Sequence, residues 1–519
     1  MLLALRTACA WQTDIDYSLR GAPPARSASH PDAVISLDSG KTSGKWLPSA
    51  VPILEGGFSG LWKDPADPSG HTFLSVTERG PVASWGGSGL AFPMPDYHQK
   101  LVRLRVQGDS LALISLDSLR TGDGQWTTGL PSPDAAVPDT AYAMLDGSVM
   151  VDASRKLPVD TNGHDFEGIA GDGKGMLWIS DEQGPSLLQV DASSSTLKRR
   201  WSRGQGIPAV FGHARNNRGF EALAVTPAGR VVAMLQSPMT NPDKLKKDST
   251  RLVRILELDP RSGSTRQFAF LVDLKGGRRP AGDVRISDLC ALSDSTFLAL
   301  ETGETQDGTA HVDLVHFTIS ASSTDISLLG GDDAAGLLKP VNGKSRTIEQ
   351  LAGIHDTTIL ASAGIRPVVR TTVIAELLQT TRWTHLKPEG LALIDDSTVA
   401  LINDNDFGAN AKDDDGMLHQ LSAERTRTRI QYLRWRMPVT SAIRSGSRKA
   451  TWKAKGGKHG IELESRSAGG PWRLTRPDGH LLAHVPASPG PLHRFLAVSS
   501  PGIVILQDGT SSQTLGVLP

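Results

Sequence analysis

Five times along the chain the same layout returns: a short phrase ending in a small residue, an apolar run, a turn, a second apolar run, and then a polar or acidic residue. The first copy opens on Gly57-Phe58-Ser59-Gly60-Leu61 and closes on Thr77-Glu78-Arg79-Gly80-Pro81. The second opens on Asp165-Phe166-Glu167-Gly168 and closes on Ser180-Asp181-Glu182-Gln183-Gly184-Pro185. The third spans Gly219-Phe220-Glu221-Ala222 to Gln236-Ser237-Pro238, and the fourth Ile286-Ser287-Asp288-Leu289 to Leu300-Glu301. The fifth spans Lys387-Pro388-Glu389-Gly390 to Asn403-Asp404-Asn405-Asp406-Phe407. The interval from opening acid to closing residue is 14 from Glu167 to Asp181, 15 from Glu221 to Gln236, 13 from Asp288 to Glu301 and 15 from Glu389 to Asp404. Ser59 to Glu78 is 19, the excess lying in a loop over residues 62–70. Two apolar runs joined by a Gly-bearing turn read as a β-hairpin. Further strands are expected over residues 187–190, 252–258, 314–319 and 417–421. A four-stranded unit repeated in this way predicts an all-β chain folded as a β-propeller.

Composition agrees: 53 glycines and 32 prolines in 519 residues favour turns over long helices. Lys+Arg and Asp+Glu are 55 each, so the chain carries no basic excess for nucleic acid or anionic membrane. Two cysteines, Cys9 and Cys290, exclude both a disulfide framework and a thiolate zinc cluster. No stretch of ~18 apolar residues predicts a membrane span. The first ten residues resemble the tail of a secretory signal without its basic start, and Arg6 argues against a lipid anchor on Cys9.

Five to six blades are expected over residues 35–440. Residues 351–362 are the candidate sixth inner hairpin, residues 371–378 the best short helix, and the N-terminal 50 residues a source for a ring-closing strand, with 1–34 set apart as an N-terminal segment ahead of the propeller. After about residue 440 the composition shifts to Ser, Arg, Lys and Gly, followed by short alternating runs, so 441–519 reads as a small β-rich extension.

In a propeller the innermost strands line a central channel, so equivalent positions form rings. Glu167, Glu221, Asp288 and Glu389 are assigned to one ring. Asp181, Glu301 and Asp404 are assigned to another, with Gln236 departing from the pattern. Converging carboxylates repel one another unless a cation sits among them. Hard oxygen ligands without His or Cys point to calcium, and less well to magnesium, rather than zinc. Asp406, in the run Asn403-Asp404-Asn405-Asp406, is a further candidate ligand. The competing reading is that an acid before Gly only holds a turn by accepting backbone amides. Asp413-Asp414-Asp415-Gly416 reads as a solvated turn.

Arg79, Arg215, Arg218, Lys275, Arg278, Arg279 and Arg285 lie near the repeats, and an arginine suits a phosphate better than a lysine does. Arg79 and Arg218, next to repeat carboxylates, are the best placed. His164 and His213 read as loop or packing residues, and Cys290 as a buried hydrophobe. There is no G-x-S-x-G elbow, no complete P-loop and no H-E-x-x-H, so serine esterase, nucleotide hydrolase and zinc protease chemistries lack support.

At these same phrases, over about residues 50–425, the sequence resembles the phytase-like "esterase-like activity of phytase" family. The resemblance implies a propeller hydrolase, often exported, whose recurring Glu and Asp residues carry the activity. Combined with the rings, it implies calcium-assisted hydrolysis of a phosphate ester by a monomer acting on an anionic small molecule. Glu182 is then the general base, Glu167 sits in the reacting centre, and Arg79 or Arg218 neutralises developing charge. Two other readings stay open: a metal-dependent lactonase similar to the gluconolactonase propellers, and a calcium-stabilised propeller that binds without catalysis.

Overall fold

In a computed structural model the described residues run from Asp16 to Trp435, apart from 29–34, 145–149, 275–283, 330–337, 354–357, 411–416, 422–426 and shorter gaps, together with the strands between Trp452 and Val517. The chain separates into two compact units, Met1–Trp435 and Arg436–Pro519.

The first unit is a β-propeller. Its inner strands are Phe58–Lys63, Phe166–Gly171, Phe220–Val225, Arg285–Ala291 and Pro388–Asp395, which define blades 1 to 5. Each inner strand packs beside the next, and the fifth packs beside the first, so the ring closes at five. Each also forms an antiparallel hairpin with a second strand, at Thr72–Thr77, Met176–Asp181, Val231–Leu235, Thr296–Glu304 and Thr398–Asn403. Blade 5 takes its third strand from Arg429–Arg434 and its outermost strand from Asp16–Leu19 at the other end of the chain. Asp16–Leu19 also runs parallel to Ser110–Ser118 of blade 1, so the N-terminal segment ties the first blade to the last. Tyr17 is buried there, edge-on to Tyr432 at 5.6 Å between ring centroids.

Three expectations are corrected. The described residues of 351–362 form no inner hairpin: Leu351 ends the helix Ile348–Leu351, which is opened by a capping box between Thr347 and Gln350, and 358–362 form the helix Thr358–Ser362. The expected helix over 371–378 is instead the outer strand Val369–Ile374 of blade 4, followed by the single turn Leu377–Thr380. Residues 417–421 supply no blade strand; His419–Gln420 joins a separate sheet with Ser36–Thr42.

Close approach of neighbouring inner strands dictates small residues. A Cβ on Gly60 would lie 2.6 Å from the Glu167 carbonyl oxygen, and one on Gly168 would lie 2.7 Å from that of Glu221. Away from the axis large side chains fill the gaps between blades: Trp62 of blade 1 occupies the space where Gly171 of blade 2 has no side chain. Trp178 packs on Trp201 at 4.7 Å, and Phe297 stacks on Phe317 at 5.0 Å. Each such fully buried ring contributes roughly 2–3 kcal/mol of burial.

The described residues of the second unit are all in β-strands. One sheet holds Trp452–Gly457, Gly460–Ser465 and Leu492–Ala497; the other orders Leu481–Val485, Trp472–Thr475, Gly502–Asp508 and Ser512–Val517.

Candidate active site in the propeller channel

One backbone hydrogen bond recurs and sets the true equivalence of the blades. The amide of Glu78 donates to the Gly57 carbonyl, Glu182 to Asp165, Gln236 to Gly219 and Asp404 to Lys387, at 2.9–3.0 Å. In blade 4 the corresponding pair is Thr302 opposite Arg285. Three tiers follow. The outermost is Gly57, Asp165, Gly219, Arg285 and Lys387; the next is Glu78, Glu182, Gln236, Thr302 and Asp404. The third, one residue into the inner strand from the apolar anchor, is Ser59, Glu167, Glu221, Ser287 and Glu389.

This register separates the expected rings. Asp181 and Glu301 stand one residue before the second tier, and Asp288 one residue after the third. The structure does not bring these three into the carboxylate cluster. Asp181 accepts from the amides of Asp165 and Gln183 at 3.0 Å, lies 2.7 Å from His164 Nδ1, and holds Ser186, all within blade 2. Glu301 pairs with Arg370 at 2.9 Å. Asp288 replaces the glycine or alanine of the other blades, so its carboxylate lies in the narrow part of the ring. There it accepts the amides of Leu289 at 2.8 Å and Leu391 at 2.7 Å, with those of Leu61 and Leu223. Burial pushes its carboxyl well up against these donors. Asp404 and Asp406 both engage Lys387, and the amide of Asp406 bonds back to Asp404 at 2.7 Å. Asn405 receives the amide of Gly57 at 2.9 Å, so the 403–406 run clamps blade 5 to blade 1.

What does converge is Glu78, Asp165, Glu167, Glu182, Glu221 and Glu389. Among the described residues, Glu78, Asp165 and Glu167 can place one carboxylate oxygen each within 4.8 Å of one another, as can Glu167, Glu182 and Glu221. Glu167 is common to both groups and receives Ser59 Oγ at 2.7 Å. Glu221 meets Gln236 and Glu389. Burial first, then the neighbouring carboxylates, push Glu78, Glu167 and Glu221 well above the usual carboxylate range. Glu182 is pushed up to about 8 by burial and by Asp165, against the opposing pull of Arg218 and Arg79.

The cations have distinct environments. Arg79 is buried and engaged with Asp165 and Asn217. Burial alone would lower it, but Asp165, together with Glu182 and Asp139, holds it above its ordinary value. Burial would likewise lower Lys387, but Asp404 and Asp406 hold it up. Arg218, half-buried beside Glu182 and Glu221, makes no hydrogen bond or ion pair among the described residues. His213 lies against Asp243 at 2.8 Å and Cys290 is buried in blade 4. Lys275, Arg278, Arg279, Cys9 and residues 413–416 lie outside the described residues.

Sequence reasoning passed over Glu78, Asp165 and Lys387 as site residues, although each stood in a quoted repeat phrase. The signal was their position relative to the apolar anchors Phe58, Phe166 and Pro388.

Oxygen donors without competing bonds remain inside the cluster. Glu182 Oε1, Glu221 Oε2, Gln236 Oε1 and Glu389 Oε2 are buried without hydrogen-bond partners. Unpaired oxygens at this depth are costly unless something positive meets them. All are hard donors, with no imidazole or thiolate among them, which fits calcium or magnesium.

A β-propeller with an acid-lined channel is the class that fold and site define. The sequence model of the family described as Phytase-like, "Esterase-like activity of phytase", matches residues 54–407, and the chain belongs to that family. No curated protein sequence matches it. Among solved structures it is similar to hydrazine synthase of Kuenenia stuttgartiensis at 12% identity and a TM-score of 0.27, covering 64% of this chain and 94% of that one. An oxidoreductase (glucose dehydrogenase) of Thermus thermophilus gives 12% identity, a TM-score of 0.24 and coverage of 75% and 88%. Virginiamycin B lyase of Staphylococcus aureus gives 10%, 0.22, and 76% and 95%. No helix among the described residues is long and apolar enough to cross a membrane.

Proposed function

We propose that the chain is an exported, monomeric phosphoester hydrolase that uses a divalent cation, calcium before magnesium, in the propeller channel. The observation that carries this reading is the set of buried, unpartnered oxygens of Glu182, Glu221, Gln236 and Glu389 around Glu167. Family membership supports the ester-hydrolase part.

Glu167, Glu221 and Glu389 would hold the cation, with Gln236 supplying a neutral oxygen. When bound, it supplies Lewis-acid polarisation of the phosphoryl oxygens. The chain's own residues do the rest. Glu182, whose charged form is favoured by its neighbours Arg218 and Arg79, takes the proton from the attacking water as general base. Its neighbour Arg218 offers N–H donors to the charge that builds on the phosphoryl oxygens. Arg79, tied to Asp165 and Asn217, fixes the wall beside Glu182 and acts as a positioning residue. A neutral lactone would have no use for arginines at this mouth, which favours the phosphate reading.

The test is hydrolysis of a generic phosphomonoester, a phosphodiester and phytate by the full chain, with EDTA and with calcium restored. Turnover that returns with calcium and is lost in Glu182→Gln and Glu167→Gln supports the assignment. Equal turnover in EDTA sinks the cation, and no turnover on any ester sinks the phosphoesterase.

A further inference from the structure

Away from the channel, blade 1 carries a cavity of about 390 Å³ that shares no residue with the carboxylate cluster. One wall is the N-terminal stretch of Pro23, Pro24 and Ala28. Backbone pairing holds that stretch in place: the Ala25 amide donates to the Ile53 carbonyl at 2.9 Å, and the Glu55 amide to that of Pro23 at 2.8 Å. The opposite wall comes from Glu55, His98, Lys100 and Ser118. The volume lies within the range of small-molecule sites, which runs from about 300 to 1,000 Å³.

The charges on this second wall are already balanced inside the protein. Glu55, 3% exposed, accepts the Tyr97 hydroxyl at 2.8 Å and pairs with Lys100 at 3.1 Å. Lys100 also donates to the His98 carbonyl at 3.1 Å and stands 3.6 Å over the Tyr97 ring. Arg26, on the N-terminal side, is itself engaged. An anion entering the cavity would have to compete with Glu55 for Lys100. What remains uncommitted is neutral: the His98 ring nitrogens and the Ser118 hydroxyl make no hydrogen bond among the described residues. Burial lowers the His98 imidazole below its ordinary value, against the pull of Asp96, so near pH 7 one nitrogen donates and the other accepts. The plane of that ring is fixed by stacking on Trp126, at 4.9 Å and 19°. Ser118 likewise both donates and accepts. Such groups are matched by hydroxyls, which do the same, rather than by a carboxylate or an ammonium. The proline wall is apolar and rigid, and suits the C–H face of a ring.

We infer that this cavity is a second binding site, for a neutral, hydroxyl-rich ring compound of the size of a mono- or disaccharide. Its hydroxyls bond to His98 and Ser118, and its C–H face lies on Pro23 and Pro24. The site depends on no part of the phosphoesterase reading, and its ligand differs from an anionic channel substrate in carrying no charge.

The probes are the methyl glycosides of glucose, mannose and galactose, with cellobiose and maltose, followed by saturation-transfer NMR on the full chain. Glucuronate serves as the anionic comparison. At least one neutral sugar is expected to bind with a Kd of about 10 mM or below. Binding is expected to weaken about fivefold or more in His98→Phe, which keeps a ring on Trp126 and removes both nitrogens, and in Ser118→Ala, each losing at least one neutral hydrogen bond. Glu182→Gln, in the channel, is expected to leave it within twofold, and glucuronate to bind no more tightly than the neutral glucoside. His98 and Ser118 are only half-buried, so both variants keep the fold; Lys100 is left in place because its loss would strand the Glu55 charge. No binding by any of these sugars up to about 50 mM would overturn the site. So would affinity unchanged in both His98→Phe and Ser118→Ala, or affinity lost in Glu182→Gln. Glucuronate binding more tightly than the glucoside would overturn the neutral ligand. Binding weakened in either cavity variant, with Glu182→Gln unchanged, places the sugar in this cavity.

Discussion

Asp288 of blade 4 accepts the amide of Leu391 in blade 5 at 2.7 Å, from the position where blades 1, 2 and 5 carry glycine and blade 3 alanine. With the amides of Leu61, Leu223 and Leu289 also directed at it, one carboxylate holds together the inner strands of four blades. An acid in a propeller channel is therefore not by itself a ligand; what separates Asp288 from Glu221 is who already occupies its oxygens.

Asp288→Ala leaves several buried amides without an acceptor, each worth about 1–3 kcal/mol. Destabilisation on the order of 4 kcal/mol or more is expected in urea unfolding. Calcium affinity in the fraction that folds is expected to stay within twofold of the parent. A tenfold loss of calcium affinity would make Asp288 a ligand instead.

Asp181 and Glu301 make a paired prediction. Asp181→Asn weakens the contacts to His164 and Ser186, and Glu301→Gln weakens the pairing with Arg370. Each is expected to destabilise by about 1–3 kcal/mol. Calcium is expected to raise the melting temperature of both variants by as much as it raises that of the parent; loss of that rise in either would return the residue to the cation site.

The pH dependence of the cation-free protein has an unusual sign. Glu182 is held at about 8 against 4.5 for a free glutamate, and Glu78, Glu167 and Glu221 are also raised, so the folded state binds more protons than the unfolded one. Stability from these groups is complete below about 4.5 and is lost as pH rises through 8. In EDTA the melting temperature is expected to fall from pH 5 to pH 9, and calcium at pH 8 is expected to restore it. A flat EDTA profile over that range would show that the cluster is not proton-laden when empty.

The closing strand is testable alone. Tyr17 is buried against Tyr432 in the strand that completes blade 5. Tyr17→Ala is expected to cost about 3 kcal/mol and to speed proteolysis within blades 1 and 5 first. Unchanged resistance would mean that the ring closes without this strand.

The propeller was legible because each inner hairpin repeats an apolar anchor, a small residue and a Gly-bearing turn. The site was legible only by residue type. Register shifts interrupt each inner hairpin just after its acid or serine, between Phe166 and Ile169 and between Ile286 and Asp288 for example, and spacing along the chain does not reveal them. Asp181 was thereby aligned where Glu182 belongs, and Asp288 where Ser287 belongs. The blade 4 outer strand was misread although Thr371-Thr372-Val373-Ile374 is β-branched throughout, which favours a strand over a helix. The capping box at Thr347–Gln350 likewise marked a helix start, just before the segment read as a hairpin.

Calcium titration of the full chain, followed calorimetrically beside Glu221→Gln, tests the central claim most directly. The account predicts saturable binding with a Kd between about 1 µM and 1 mM, weakened at least tenfold in the variant. Absence of binding heat and of thermal stabilisation up to about 10 mM calcium or magnesium would contradict it, and the channel carboxylates would then be a proton-sharing cluster rather than a cation site.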